Sequence, residues 1–442
     1  MSDGLIMAFQ IILALSFLVF IHELGHFLFA RLFGTRVERF FLFFDAFGIA
    51  LWKKKIGDTV YGIGWLPLGG YVKIAGMIDE SLDTTSQQSD PKPWEFRSKP
   101  AWQRLIIILG GIIFNIIAGF VIYGFYLVNY EKTYIPLEAL KPEGLYVYDA
   151  GKNLGLKTGD LVTAINDKEA HRLKDIIGIR MNFAEEFTVE RNGNVFHITI
   201  PDTILMMDYI QKHGILYRPY KVALIVDSVL PGKPAANAGL HKGDTLWKIN
   251  ETPIFEIDIL PKFLEDFRND SITIVVRRKG KLIERTVYID TSGRLGILIK
   301  PALLYPKEEY SIYQAFRYAL IESMEFIYYN AVGLGYIFTG KVSAKESIHS
   351  PIALARLYGG DIDWGRFWRL TALISLILAF VNFLPIPALD GGYALLILIE
   401  MLTGYKPGPR FMEYFVRVGL ILLLLLMGYA FIKDIIVLIL GG

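Results

Sequence analysis

From Leu105 to Val128 the chain carries no Asp, Glu, Lys, Arg or His. Roughly 24 such residues make about 36 Å of helix, enough to cross the ~30 Å hydrocarbon of a bilayer. Three further apolar blocks accompany this one. Leu5 to Phe33 is interrupted only by His22, Glu23, His26 and Arg31. Leu370 to about Pro385 stops at prolines, and Val418 to Leu440 is long enough to cross even with Lys433 and Asp434 inside it. A chain of 442 residues that is 53% hydrophobic, with a mean hydropathy of +0.39, is too apolar for an ordinary soluble enzyme. The first block has neither a basic leading region nor a small-residue cleavage site, so it reads as a span and not as a signal peptide. The 46 Lys+Arg nearly balance 44 Asp+Glu, for a net charge of +2, which argues against nucleic acid as a partner. The absence of Cys excludes disulfides, iron–sulfur clusters and Cys-ligated zinc.

The expected fold class is a polytopic α-helical membrane protein with four transmembrane helices, a re-entrant β loop and two inserted β-rich domains. The expected layout runs as a first span over 1–34, a loop over 35–104 holding the re-entrant segment at about 60–75, and a second span over 105–129. Two β-rich modules follow over 130–215 and 216–298, then a connecting helical segment over 299–364 with an amphipathic pattern. A third span over 365–387 leads to Asp390, and a fourth covers 411–440. Lys and Arg crowd the loop between the first two spans (Arg36, Arg39, Lys53, Lys54, Lys55, Lys73, Lys92, Arg97, Lys99) and recur between the last two at Lys406 and Arg410. The positive-inside rule places both loops in the cytoplasm and puts both termini and the long segment from about Asn129 to Trp364 outside.

Within that segment Gly155-Leu156-Lys157-Thr158-Gly159-Asp160 recurs about 84 positions further on as Gly239-Leu240-His241-Lys242-Gly243-Asp244. Each copy reads as a helix end, a tight Gly-Asp turn and an alternating strand, so two small β modules stand in tandem. The pattern of the two copies, with the second preceded by Pro231-Gly232-Lys233-Pro234-Ala235-Ala236, resembles PDZ domains of bacterial membrane-associated proteases. That resemblance implies capture of peptide termini by strand addition. The first copy lacks the Pro-Ala-Ala entry, and a packing or size-filtering role stays open for both.

A charged group inside a membrane span costs on the order of 2.5–3.5 kcal/mol, so His22-Glu23-Leu24-Gly25-His26 requires a reason. Residues four apart on a helix differ by about 40° of rotation and 6 Å of rise, so both imidazoles face one point. With Glu23 about 100° away, the pattern is H-E-x-x-H, in which two His hold Zn²⁺ and Glu acts as general base of a metalloprotease. A hydrogen-bonded packing cluster, or a proton path in a transporter, are the competing readings. The other five histidines lie outside the spans, so a third ligand must come from elsewhere in the membrane. Asp390 is the candidate, in Asn382-Phe383-Leu384-Pro385-Ile386-Pro387-Ala388-Leu389-Asp390-Gly391-Gly392. Pro385 and Pro387 end the third helix, and a carboxylate on broken backbone at membrane depth must line a protein cavity or meet a partner. Helix capping by Asp390 is the plainer alternative. Two His and one Asp leave one position open for water, the arrangement of a catalytic zinc site.

Taken with Phe20-Ile21, Gly64-Trp65-Leu66-Pro67-Leu68-Gly69-Gly70-Tyr71-Val72-Lys73 and Gly110-Gly111…Asn115, these motifs resemble the site-2 protease family of intramembrane zinc metalloproteases over nearly the whole chain. The resemblance implies a bacterial inner-membrane zinc metalloendopeptidase that cuts a membrane-embedded protein substrate, an anti-sigma factor or a remnant signal peptide, in regulated proteolysis. It implies zinc on His22, His26 and Asp390, Glu23 as base, and Asn382 holding a substrate strand. The Gly64–Lys73 stretch suits a β-hairpin-like loop dipping toward the site, with an ordinary cytoplasmic turn as the alternative. Its Gly64, Gly69 and Gly70, together with Pro385 and Pro387, are further candidates for substrate contact. Ser350 stands where the family usually has Gly. A non-catalytic membrane scaffold that binds exposed peptide ends is the alternative function, with a transporter behind it.

Overall fold

A computed structural model describes residues 3–67, 69–77, 90–220, 222–253, 259–342 and 351–440; Ser350 lies outside them. The chain forms two compact units, Met1–Lys132 with Tyr310–Gly442, and Thr133–Glu309.

The first unit is a helical assembly: α1 (Asp3–Leu32), α2 (Ala101–Tyr126), α3 (Ile312–Phe338), α4 (Pro351–Tyr358), α5 (Trp364–Phe383), α6 (Asp390–Thr403) and α7 (Pro409–Leu440). Among the described residues four helical stretches are long and apolar enough to cross a membrane: Asp3–Leu32, Ala101–Glu131, Trp364–Phe383 and Pro409–Ala430. Local chemistry sets their ends. A capping box opens α3, where the Ser311 hydroxyl accepts from the Gln314 N–H and the Gln314 side chain takes the Ser311 N–H. Helix α5 stops at Phe383 because Pro385 biases Leu384 toward extended backbone and brings no donor of its own.

Small residues on α2 let its neighbours come close. A Cβ on Gly25 of α1 would lie 2.2 Å from the Gly110 carbonyl oxygen, so the two backbones touch there. Lower down, Gly119 receives Leu376 of α5. Backbone contact of this kind supplies dispersion packing where lipid removes the hydrophobic drive between helices.

A small sheet follows α1: β1 (Val37–Leu42), β2 (Ala50–Ile56), β3 (Thr59–Gly64) and β4 (Tyr71–Ile74), in the order β2-β3-β1-β4. Here the hairpin expectation for Gly64–Lys73 is corrected. The strands at its two ends do not pair with each other, because β1 lies between them, parallel to β3 and antiparallel to β4. The physical cause is β1 itself, which buries Val37, Phe40 and Phe41 and claims the centre of the sheet. Gly62 lies under the Phe41 ring, where a Cβ would come within 2.4 Å of it.

The second unit is β-rich. It holds β5 (Thr133–Tyr134), β6 (Leu145–Val147), β7 (Leu161–Ile165), β8 (Lys168–Glu169), β9 (Glu186–Arg191), β10 (Asn194–Thr199) and β11 (Tyr217–Pro219). It continues with β12 (Val222–Val229), β13 (Thr245–Ile249), β14 (Thr252–Pro253), β15 (Asp270–Arg278), β16 (Lys281–Ile289), β17 (Ile297–Leu303) and β18 (Glu308–Glu309). One sheet runs β10-β9-β7-β8, and a second runs β16-β15-β13-β12-β17 with β14 on β13. Strand β11 pairs back to β6, while β17 pairs with β12. Pairing with β6 ends at Pro219, and the second sheet has strands from Val222 to Leu303.

The sequence repeat is a repeat of hydrogen bonds. The Asp160 carboxylate accepts from the Lys157 N–H at 2.7 Å and from Arg191 Nε and Nη2 at 2.6 and 2.8 Å. Asp244 accepts from the His241 N–H at 2.9 Å and from Arg278 Nε and Nη2 at 2.6 and 2.8 Å. Each guanidinium also donates to the carbonyl of the glycine that opens its copy, Gly155 or Gly239. Both carboxylates are buried, and a bidentate Arg fork is the partner that satisfies a buried carboxylate best.

Burial alone would raise the Asp244 carboxyl, but the Arg278 fork and the His241 N–H outweigh it and hold it below the ordinary carboxylate value. A depressed folded value means stability that is present above the unfolded pKa of about 3.9 and lost as pH falls through the folded one. Asp244→Asn is therefore expected to lower amide-exchange protection across 222–303 about tenfold at pH 7, and to flatten its decline below about pH 4. Equal acid dependence in variant and parent would show that the fork contributes nothing to this module.

Candidate active site

Helix α1 places His22 and His26 one turn apart, with their rings edge to face at 4.8 Å between centroids and their Nε2 atoms 3.2 Å apart. Asp390, the first residue of α6, brings its Oδ2 to 3.2 Å from His22 Nε2 and 3.3 Å from His26 Nε2. One ligand atom from each of the three lies within 4.8 Å of the others. Residues separated by most of the chain thus converge on one point.

The loop before α6 explains how Asp390 arrives there. After Phe383 the backbone turns sharply, with the Ile386 N–H donating to the Leu384 carbonyl at 2.7 Å and Ala388 held at φ +70°. Gly391 and Gly392 fit beneath this turn, where a Cβ would approach the carbonyl oxygens of Phe383, Leu384 and Ile386 to 2.3 Å. Leu389 occupies the N-cap position, and Asp390 follows it as the acidic residue of the first turn of α6.

Helix α2 forms the floor. His26 Nδ1 sits 2.9 Å from the Ile107 carbonyl oxygen, which accepts only, so Nδ1 carries the proton and the Nε2 lone pair faces inward. His22 Nδ1 lies 3.2 Å from the Asn115 side-chain amide. Between these anchors is Gly111, whose Cβ would come within 2.5 Å of both rings.

The donor set fits a metal ion. Asp390 Oδ2 is buried and finds no hydrogen-bond donor, and an inward-facing His26 lone pair looks toward it. Acceptor atoms packed this closely repel one another unless a cation or protons lie among them. Two imidazoles and one carboxylate match the ligand preference of Zn²⁺ in catalytic sites.

Glu23 stands beside this group, outside the three-residue cluster. Val72 of β4 lines the same cavity as Glu23, and a Cβ on Gly70 would lie 3.5 Å from the Glu23 Cγ. His22, Glu23, His26 and Asp390 together with Tyr71, Val72, Ile74, Met77, Ala388 and Tyr393 enclose a cavity of about 80 Å³. Strand β4 is the last in its sheet, so one of its edges is left without a strand among the described residues.

Of the other residues singled out in the sequence, Gly70 lies at the site. Gly64 and Gly69 do not reach it; they make room for Phe44, to whose carbonyl oxygen and ring a Cβ would come within 2.2 and 2.9 Å respectively. Pro385 and Pro387 shape the turn, and Gly419 of α7 abuts the Pro387 carbonyl. Asn382 is partly exposed near the end of α5, and among the described residues no hydrogen bond joins it to the cluster. Sequence reasoning assigned no role to Gly111, Asn115, Val72 or Tyr393. The Gly-Gly…Asn break in the uniformly apolar second span was the signal available for the first two.

The model of Peptidase family M50 matches residues 10–426. The regulator of sigma-E protease RseP of Escherichia coli (strain K12) is 29% identical over 96% of this chain and 97% of its own length. Protease RseP of Yersinia pestis shares the same identity and coverage. The regulator of sigma E protease of Haemophilus influenzae is 27% identical over 96% of this chain and 97% of its own.

Proposed function

The chain belongs to peptidase family M50, and on that footing we propose that it is an intramembrane zinc metalloprotease that cuts the spanning segment of a single-span membrane protein. The observation that carries the reading is the meeting of His22, His26 and Asp390 at one point, with His26 buried and the other two partly so, and with Glu23 alongside. His22, His26 and Asp390 would hold the zinc. When bound, zinc supplies Lewis acidity for a peptide carbonyl and for the attacking water.

The rest is done by the chain. Glu23 accepts the proton of the attacking water at its carboxylate and returns it to the leaving amine nitrogen. A substrate helix hides its carbonyls in its own hydrogen bonds and must unwind to be cut; the free edge of β4, next to the cluster, offers backbone partners to the unwound strand. Asn382 and the turn at Pro385 and Pro387 border the same strand. Gly64–Lys73 re-enters the membrane from the cytoplasmic side, as the Lys- and Arg-rich loops assign it. The two modules, 130–215 and 216–298, are PDZ-like domains outside a bacterial inner membrane, where they restrict access to substrates already shortened. An anti-sigma factor or a remnant signal peptide is the substrate class, a reading supported by relatives named as regulators of sigma-E.

The test is cleavage of a truncated single-span substrate by the zinc-loaded, detergent-purified chain, read by fragment mass. One cut inside the substrate's span is expected, abolished by a chelator, restored by added zinc, and absent from Asp390→Ala, which should also lose its metal. Undiminished cleavage by Asp390→Ala would overturn the ligand set. Absence of any cut with one zinc still bound would turn the reading toward the scaffold.

A further inference from the structure

The mechanism above leaves Asn115 without a task, although it is the one amide side chain in the charge-free run Leu105–Val128 and is only 1% exposed. A polar group buried in an apolar span is unfavourable unless it is hydrogen-bonded, so its neighbours define its use. Its backbone carbonyl accepts from the Ser375 hydroxyl of α5 at 2.7 Å, which ties this turn of α2 to a second helix. Its side chain faces His22 Nδ1 at 3.2 Å, while the other end of the amide, Oδ1, is buried without a partner.

An amide and its flipped form fill the same space, and hydrogen bonding decides between them. With NH₂ toward the ring, His22 Nδ1 must accept, its proton moves to Nε2, and the atom facing Asp390 can no longer bind a cation. With Oδ1 toward the ring, the stranded acceptor receives the Nδ1–H and the Nε2 lone pair faces Asp390 and His26 Nε2. His26 is already held this way through the Ile107 carbonyl. The spacing agrees: the Ile107 carbonyl points forward along α2 and the Asn115 side chain leans back, so contacts eight residues apart meet histidines four apart.

We propose that Asn115 is a positioning residue that accepts the Nδ1–H of His22 and thereby fixes the metal-binding tautomer of that ring. The proposal rests on the reading of His22, His26 and Asp390 as zinc ligands. It predicts that an acceptor at 115, not an amide as such, is what the site needs.

The experiment measures zinc affinity of the full chain in detergent by competition with a fluorescent chelator, alongside thermal unfolding of the metal-free protein. Asn115→Ala is expected to weaken zinc binding about 10–100-fold while leaving metal-free unfolding unchanged. Asn115→Asp, which keeps an acceptor, is expected to restore affinity to within a few-fold of the parent. Parental affinity in Asn115→Ala would overturn the proposal. Equal losses in both variants, with lowered metal-free unfolding, would also overturn it in favour of a packing role. Should the parent chain itself bind no zinc, the ligand assignment fails first and Asn115 falls with it.

Discussion

Glu23→Gln is expected to lower cleavage of a single-span substrate by about 10²–10⁴-fold while zinc binding stays at the parental level. The two readouts separate because Glu23 lies beside the cluster and is not one of the three residues whose ligand atoms converge. Gln matches Glu in size, so the cavity and the neighbouring Gly70 should be undisturbed. On the proposed mechanism, what is lost is the group that takes a proton from water and hands it to the amine. Fragment mass spectrometry on equal zinc loads measures this directly. Parental turnover in the variant would remove Glu23 from its role as base, and loss of zinc would place it among the ligands.

The parts of the molecule legible in sequence are those where a local pattern and a physical demand coincide. Four spans could be read because length and apolarity are what a bilayer requires, and the helices of those blocks, α1, α2, α5 and α7, are the long apolar ones. His22 and His26 could be paired because helical spacing alone puts them on one face. The tandem modules could be read from Gly-Asp turns whose carboxylates prove to be anchored in the same way, by Arg191 and Arg278. What sequence did not reveal depends on contacts between distant segments. The order β2-β3-β1-β4 requires β1 to insert between strands that follow it, and no periodicity within Gly64–Lys73 carries that information. Glycines there read alike in sequence, yet Gly70 borders Glu23 while Gly64 and Gly69 accommodate Phe44. The Asn115 side chain meets His22 only because α1 and α2 touch at Gly25 and Gly110, a fact about two helices that neither states by itself.

That contact also carries the other large effect. Gly111→Ala adds one methyl group and is expected to abolish both zinc binding and cleavage, because the new carbon would lie 2.5 Å from His22 Cε1 and from His26 Nε2. Neither ring can yield without cost. His26 is tied to the Ile107 carbonyl and His22 to Asn115, both on the same helix as the intruding methyl. Nor can α2 withdraw, since the adjacent residue, Gly110, is in backbone contact with Gly25. Alanine is otherwise the better helix former by about 1 kcal/mol, so the helix itself should not suffer. Gly335→Ala is the matched control: it lies in α3 with nothing within 4 Å of the added carbon, and should leave metal content and turnover unchanged. Zinc per chain and turnover, measured side by side for the two variants, decide the matter. Full zinc and full activity in Gly111→Ala would mean that the imidazoles are not held against α2 in the working enzyme. A loss confined to Gly111 would establish that the open space on this helix is what lets two histidines share one ion.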